Sequence, residues 1–183
     1  MITGPSGVGK GTLIRGLRES VPELELTVSA TTRAPRPGEH DGVDYHFLSP
    51  EQFETRVTAG DFLESADYAG QRYGTLRTEV DRRLDRGIPV VLEIELQGAR
   101  QIRQAMPESV AVFIAPPSTD ALRTRLVGRG TDDPEQVRAR LRTAERELEA
   151  AREFRHVIVN DRLEEATGEL VDIVRGELAS PLA

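Results

Sequence analysis

Along the chain, short runs of β-branched and apolar residues alternate with longer stretches whose apolar positions recur at helical spacing. The strand-like runs are residues 89–95 (PVVLEIE), 110–115 (VAVFIA) and 156–160 (HVIVN), with 26–30 (LTVSA) a fourth. Helical spacing fits residues 10–20, 50–59, 76–86, 97–106, 119–128, 134–155 and 163–178. Ser49 before Pro50, with Gln52 at the third helical position, has the form of a reciprocal cap. Ser118 after Pro116 and Pro117 is a second start signal. Strands alternating with helices in this way predict an α/β protein around a parallel core sheet.

Two segments break the alternation. Residues 31–75 carry short strand signals interrupted by Gly and Pro, with all three Tyr and several Arg, and are expected to form an inserted lobe. Residues 127–133 (VGRGTDD) are polar and glycine-rich between two helices, as in a surface turn or a hinged lid. The loop before the first helix follows only Met1, Ile2 and Thr3, a short first strand, and we expect added apolar residues ahead of Met1 to stabilise the fold.

Composition narrows the function. No apolar run approaches the roughly 18 residues of a membrane span, and the glycine-rich start lacks the pattern of a secretory signal. The absence of Cys excludes disulfides and thiolate metal sites and points to a reducing cytoplasm. A net charge of -7 counts against a general nucleic-acid binder. Of the 24 basic side chains every one is Arg except Lys10. A blind draw would place the single Lys there about once in 24. It stands where a phosphate-binding loop needs a compact ammonium rather than a wide guanidinium.

That loop reads G-P-S-G-V-G-K-G-T, comprising Gly4, Pro5, Ser6, Gly7, Val8, Gly9, Lys10, Gly11 and Thr12, between an apolar fragment and a helix. Glycines let the backbone wrap a polyphosphate at a helix N-terminus, and Lys10 is placed to bridge its terminal phosphates. Gly11 stands where Ser or Thr usually follows the Lys, so the hydroxyl available to a metal is that of Thr12. Further on, Arg33 and Arg36 flank Pro35, and Tyr45 follows a short loop. Two guanidinium forks and a phenol on a stiff turn suit a second, smaller phosphate, although a solvated basic loop has the same composition.

These motifs together resemble the guanylate kinase family over essentially the whole chain: GPSGVGKGT, TTRAPRPGEHDGVDYHF, FLE from Phe62, YGT from Tyr73, EIELQG from Glu93, RLVGRGT from Arg125 and VIVND from Val157. The resemblance implies a three-layer P-loop NTPase fold with a parallel core (residues 1–30 and 76–183), a GMP-binding lobe at 31–75 and a helical lid at 127–142. It implies transfer of the ATP γ-phosphoryl group to GMP. ATP would lie on residues 4–12 with Arg125 beside it and Asn160 near adenine. The GMP phosphate would lie on Arg33, Arg36, Tyr45 and Tyr73, and guanine on Ser29, Glu64 and Thr75, with Glu95, one methylene longer than the usual Asp, nearby. Lys10, Arg33, Arg129 and Arg140 would supply catalytic charge. Mg²⁺ would arrive with ATP, near Thr12 and, through water, Glu93.

The same resemblance admits another class, since guanylate-kinase-like domains also serve as non-catalytic protein-interaction modules; the intact loop with its Lys argues for the enzyme. A kinase for a different nucleotide is a third reading, opposed by Glu64 and the Arg33–Tyr45 segment. We expect a cytoplasmic protein, monomeric or a small homo-oligomer, whose partners are ATP and GMP rather than nucleic acid or membrane. His40, His46 and His156 have no metal-ligand spacing and suggest no role.

Overall fold

A computed structural model describes residues 1–68, 70–128 and 134–179, apart from the side chains of Pro134 and Gln136. The elements run β1 (Ile2–Thr3), α1 (Lys10–Ser20), β2 (Glu25–Leu26), β3 (Ala30–Thr31), β4 (His46–Phe47), α2 (Pro50–Thr58), β5 (Phe62–Tyr68) and β6 (Gln71–Leu76). They continue with α3 (Arg77–Leu84), β7 (Val90–Val91), α4 (Leu96–Ala105), β8 (Val112–Ala115), α5 (Thr119–Gly128), α6 (Pro134–Glu149), β9 (His156–Val159) and α7 (Leu163–Ala179). The chain divides into two compact units, Met1–Pro22 with Val110–Ala183, and Glu23–Ser109. The lobe limits drawn at residues 31 and 75 both fall inside the second unit.

The first unit is built on a parallel sheet of order β1-β8-β9. All four residues of β8 are buried, as an unbroken apolar run in a parallel strand requires. Ile2 pairs with Val112 and Thr3 with Phe113, while the other edge of β8 pairs with β9 from Val112↔His156 to Ala115↔Val159. Helix α1 buries Lys10, Leu13, Ile14 and Leu17 on one stripe. It packs on α7, where a Cβ at Gly16 would lie 2.8 Å from Thr167 Cγ2.

The second unit carries a mixed sheet of order β4-β3-β6-β5 and a parallel pair, β2-β7. Its apolar centre joins Ala30, Phe53 and Leu76, flanked by Leu48, Val57 and Phe62, with the rings of Phe53 and Phe62 stacked at 4.5 Å. Helix α2 opens with the reciprocal cap expected at Ser49: Ser49 Oγ accepts from Gln52 N, and Ser49 N donates to Gln52 Oε1. Ser118 Oγ likewise accepts from Ala121 N at the start of α5.

Helix α1 and helix α5 keep their expected bounds, whereas strands are shorter than their apolar runs. Residues 26–30 do not form one strand. Glu25 and Leu26 pair with β7, and Ala30 and Thr31 pair with β4 and β6, so this run serves two sheets. The 89–95 run forms a ladder only at Val90–Val91, against the two-residue β2, with a single bridge position at Glu93 before α4. The helix expected over 134–155 tightens to a 3₁₀ turn at Ala150–Glu153. Its charged residues are not all solvated, since Glu147 is buried. No helix among the described residues is long and apolar enough to cross a membrane.

Candidate active site

In the first unit, the loop between β1 and α1 turns through three glycines with left-handed φ: Gly4 (139°), Gly7 (91°) and Gly9 (96°). These positions are closed to a side chain on space as well as on φ. A Cβ at Gly4 would stand 2.2 Å from Ile114 O, and one at Gly9 would stand 2.6 Å from Asn160 Nδ2. Gly9 is also the N-cap of α1, with no side-chain cap and no acidic residue in the first turn. The positive end of the helix is thus left facing the loop, the arrangement that attracts phosphate. Lys10 is buried, and its Nζ donates to Gly4 O at 2.6 Å and Pro5 O at 3.4 Å, folding the ammonium back over the loop.

Arg125 and Asn160 meet the same loop at the Val8 carbonyl. Asn160 Nδ2 donates to Val8 O at 2.7 Å and Arg125 Nη1 at 3.3 Å, while Arg125 Nη2 donates to Asn160 O at 2.8 Å. Two donors thus share this one carbonyl. Gly11 and Thr12 are exposed at the start of α1. Arg140 lies half-buried on α6, whereas Arg129 and lid residues 129–133 fall outside the described residues.

In the second unit, the basic turn is pre-organised by an acid that the sequence reading gave no role. Glu39 Oε1 pairs with Arg33 Nη2 at 2.9 Å, and Oε2 accepts from Arg36 N at 2.7 Å. The Arg33 bond holds the Glu39 carboxyl below its usual range, and the same bond raises the Arg33 guanidinium. The Arg33 guanidinium stands 5.2 Å from the Tyr45 ring centre and 5.8 Å from that of Phe47. Tyr73 meets Tyr45 edge-on at 6.1 Å. Burial raises the Tyr45 phenol, with Tyr73 and Glu93 acting in the same direction, so it stays a hydrogen-bond donor at neutral pH. The Arg36 side chain is exposed beside this group.

Strand pairing brings Glu64 of β5 opposite Thr75 of β6. Thr75 Oγ1 donates to Glu64 Oε1 at 2.7 Å, and both residues are buried. Burial lifts the Glu64 carboxyl to about 7; the Thr75 hydroxyl and backbone oppose the rise, and the charge of Glu95 adds to it. Across from Glu64 is Gly98 in the first turn of α4, where a Cβ would stand 2.3 Å from Glu64 Oε2. Glu95 is the N-cap of α4 but makes no side-chain cap, and its buried Oε2 has no hydrogen-bond partner. Ser29, just before β3, accepts from His46 N through its carbonyl. Glu93 is exposed.

The structure therefore gathers Gly4 to Thr12, Arg125 and Asn160 in the first unit. In the second it gathers Arg33, Tyr45 and Tyr73, and separately pairs Glu64 with Thr75 near Glu95. Two residues needed to build these groups carried only faint signals. Glu39 was signalled by its place three positions after Arg36, and Gly98 only by closing the EIELQG run.

A glycine loop with a folded-in lysine, joining a parallel strand to a helix, defines a phosphate-loop nucleotide-binding protein. The sequence-family model described as guanylate kinase matches residues 1–177. A guanylate kinase of Synechococcus is 56% identical over 170 residues, which are 93% of this chain and 90% of that protein. One of Mycolicibacterium paratuberculosis is 52% identical over 96% of this chain and 80% of its own length. Among solved structures, guanylate kinase from Anaplasma phagocytophilum matches with a TM-score of 0.78 at 31% identity, covering 98% of this chain and 85% of that one. The chain belongs to the guanylate kinase family.

Proposed function

We propose that this enzyme, an ATP:GMP phosphotransferase, holds ATP on the loop of residues 4–12 and GMP on the second unit, between Arg33, Tyr45 and Tyr73 at the phosphate and Glu64 and Thr75 at the base. The observation that carries the reading is the buried Glu64–Thr75 pair, in the same unit as the Arg33–Tyr45–Tyr73 group. A carboxylate accepts two adjacent donors side by side, and guanine offers them at N1–H and its exocyclic amine. Ser29 and Glu95 complete the base site, and Arg36 the phosphate site.

An oxygen of the GMP phosphate attacks the γ-phosphorus of ATP, forming a P–O bond as the bond to the β-phosphate oxygen breaks and ADP leaves. That oxygen is already anionic, so no general base is needed. Lys10, Arg33, Arg129 and Arg140 supply positive charge to the phosphates, and Arg125 and Asn160 shape the loop from behind through Val8 O. Kinases generally need a divalent metal. The exposed Thr12 hydroxyl suits Mg²⁺, which takes few protein ligands beside phosphate oxygens and water. When bound, the ion would neutralise charge on the β- and γ-phosphates. The residues 127–142 act as a lid. The intact loop and its lysine favour the enzyme over an interaction module. The cysteine-free sequence supports work in the cytoplasm.

ATP labelled on its γ-phosphate, incubated with Mg²⁺ and GMP, tests the reaction. Label should appear in GDP. Label released only as inorganic phosphate would overturn the assignment.

A further inference from the structure

We propose that Glu79 is a positioning residue for GMP, through which helix α3 fixes the spacing between Ser29 and Tyr45; the inference rests on the GMP site proposed above. Strands β3 and β4, which these two residues immediately precede, pair over only two positions, Ala30↔His46 and Thr31↔Phe47. Such a short ladder leaves the relative placement of its ends weakly fixed. The main-chain bond from His46 N to Ser29 O, 2.9 Å long, is the first link across this end.

Glu79 spans that link from the side. Its Oε2 accepts from Val28 N at 3.4 Å, one residue before Ser29, and its Oε1 lies 3.3 Å from His46 Nε2, one residue after Tyr45. The carboxylate is itself fixed. Arg83 Nη1, one helical turn on, donates to Oε2 at 2.8 Å, and Arg83 Nε donates to Glu25 Oε2 at 2.8 Å. The carboxylate is only 15% exposed, so these bonds are little diluted by water. Burial alone would raise its pKa. The charge and hydrogen bond of Arg83, with the bonds from Val28 and His46, bring it below the usual value and keep it an acceptor. In this scheme Glu79 touches no part of GMP and acts only through the backbone of β3 and the ring of His46. His46, without a role in the sequence reading, becomes one arm of the clamp.

The test is steady-state kinetics of Glu79→Ala, Glu79→Gln and His46→Ala against wild type, with thermal melts of each. Removing the carboxylate should raise the KM for GMP by about 10-fold, the scale of a lost charge-assisted bond, with kcat within about twofold. The KM for ATP should be unchanged. Glu79→Gln should recover to within about threefold of wild type, because its amide can accept from Val28 N–H and still reach the His46 ring nitrogen. A purely structural residue would lower the melting temperature and leave KM alone. A wild-type KM for GMP in Glu79→Ala, or a parallel rise for ATP and GMP, would overturn the inference. Should Glu79→Ala fail to fold, an unchanged KM in His46→Ala overturns it. If wild type phosphorylates no GMP, the functional assignment fails instead.

Discussion

Glu64 is a carboxyl whose burial holds its proton to a pH of about 7. Guanine needs the ionised form, so kcat/KM for GMP should fall about tenfold per pH unit below 7, while the KM for ATP stays flat. The GMP phosphate titrates near pH 6 as well, and Glu64→Gln separates the two effects by losing only the component due to Glu64. A profile unaltered by that substitution would show that Glu64 does not face the base. Stability should move in a defined direction. A carboxyl with a raised folded pKa contributes most below its unfolded value of 4.5 and loses that contribution as pH rises through about 7, here about 3 kcal/mol. Denaturant melts of Glu64→Gln should therefore gain on wild type between pH 5 and 8, and no gain would contradict the burial argument. Lys10→Arg should retain the fold but lose at least about 100-fold in kcat, because the ammonium sits inside a loop too tight for a planar guanidinium; a near-normal kcat would count against that fit. Lys10 was legible in the sequence because it is the one Lys in a fixed pattern. The burial of Glu64 was not, since it depends on α4, which follows only after α3 and β7, approaching the β5–β6 hairpin.

At the level of elements, helices announce themselves through local spacing and caps, and those of α1, α2 and α5 were readable from Lys10, Ser49 and Ser118. Strand ends depend on a partner. Residues 26–30 read as one apolar run, yet Glu25–Leu26 and Ala30–Thr31 answer to different sheets. The approach of α4 to β5 is equally non-local: Gly98 lies against Glu64, and Gln101 exchanges hydrogen bonds with the Ser65 backbone. Alanine is favoured over glycine in a helix by about 1 kcal/mol. The atom a Cβ at Gly98 would strike is the tip of a flexible side chain, Glu64 Oε2 at 2.3 Å, which can swing aside. Gly98→Ala should therefore leave the melting temperature unchanged or slightly higher while raising the KM for GMP at least about 10-fold. Wild-type kinetics in this variant would mean that the Glu64 carboxylate need not stay where the empty site holds it.

On the scale of the whole molecule, the two proposed nucleotide sites belong to different compact units. The loop of residues 4–12 lies in Met1–Pro22 with Val110–Ala183, and the groups around Arg33 and Glu64 lie in Glu23–Ser109. In the proposed scheme one nucleotide is read through its phosphates by backbone and Lys10, the other through its base by Glu64 and Thr75. Phosphate-loop recognition was plain in the sequence because consecutive residues make it. Of the proposed GMP site, the Arg33–Tyr45 turn was legible as a candidate phosphate site, whereas the base site was legible only through the family resemblance, its residues being drawn from β5, β6 and the positions just before β3 and α4. The central claim, a phosphotransferase specific for GMP, is tested most directly by initial rates of ADP formation from ATP with GMP, AMP, CMP and UMP in turn. A site whose buried carboxylate must be matched by two donors should favour GMP over AMP by on the order of 10⁴ in kcat/KM. Comparable values for AMP and GMP, or no turnover with any of the four, would contradict it.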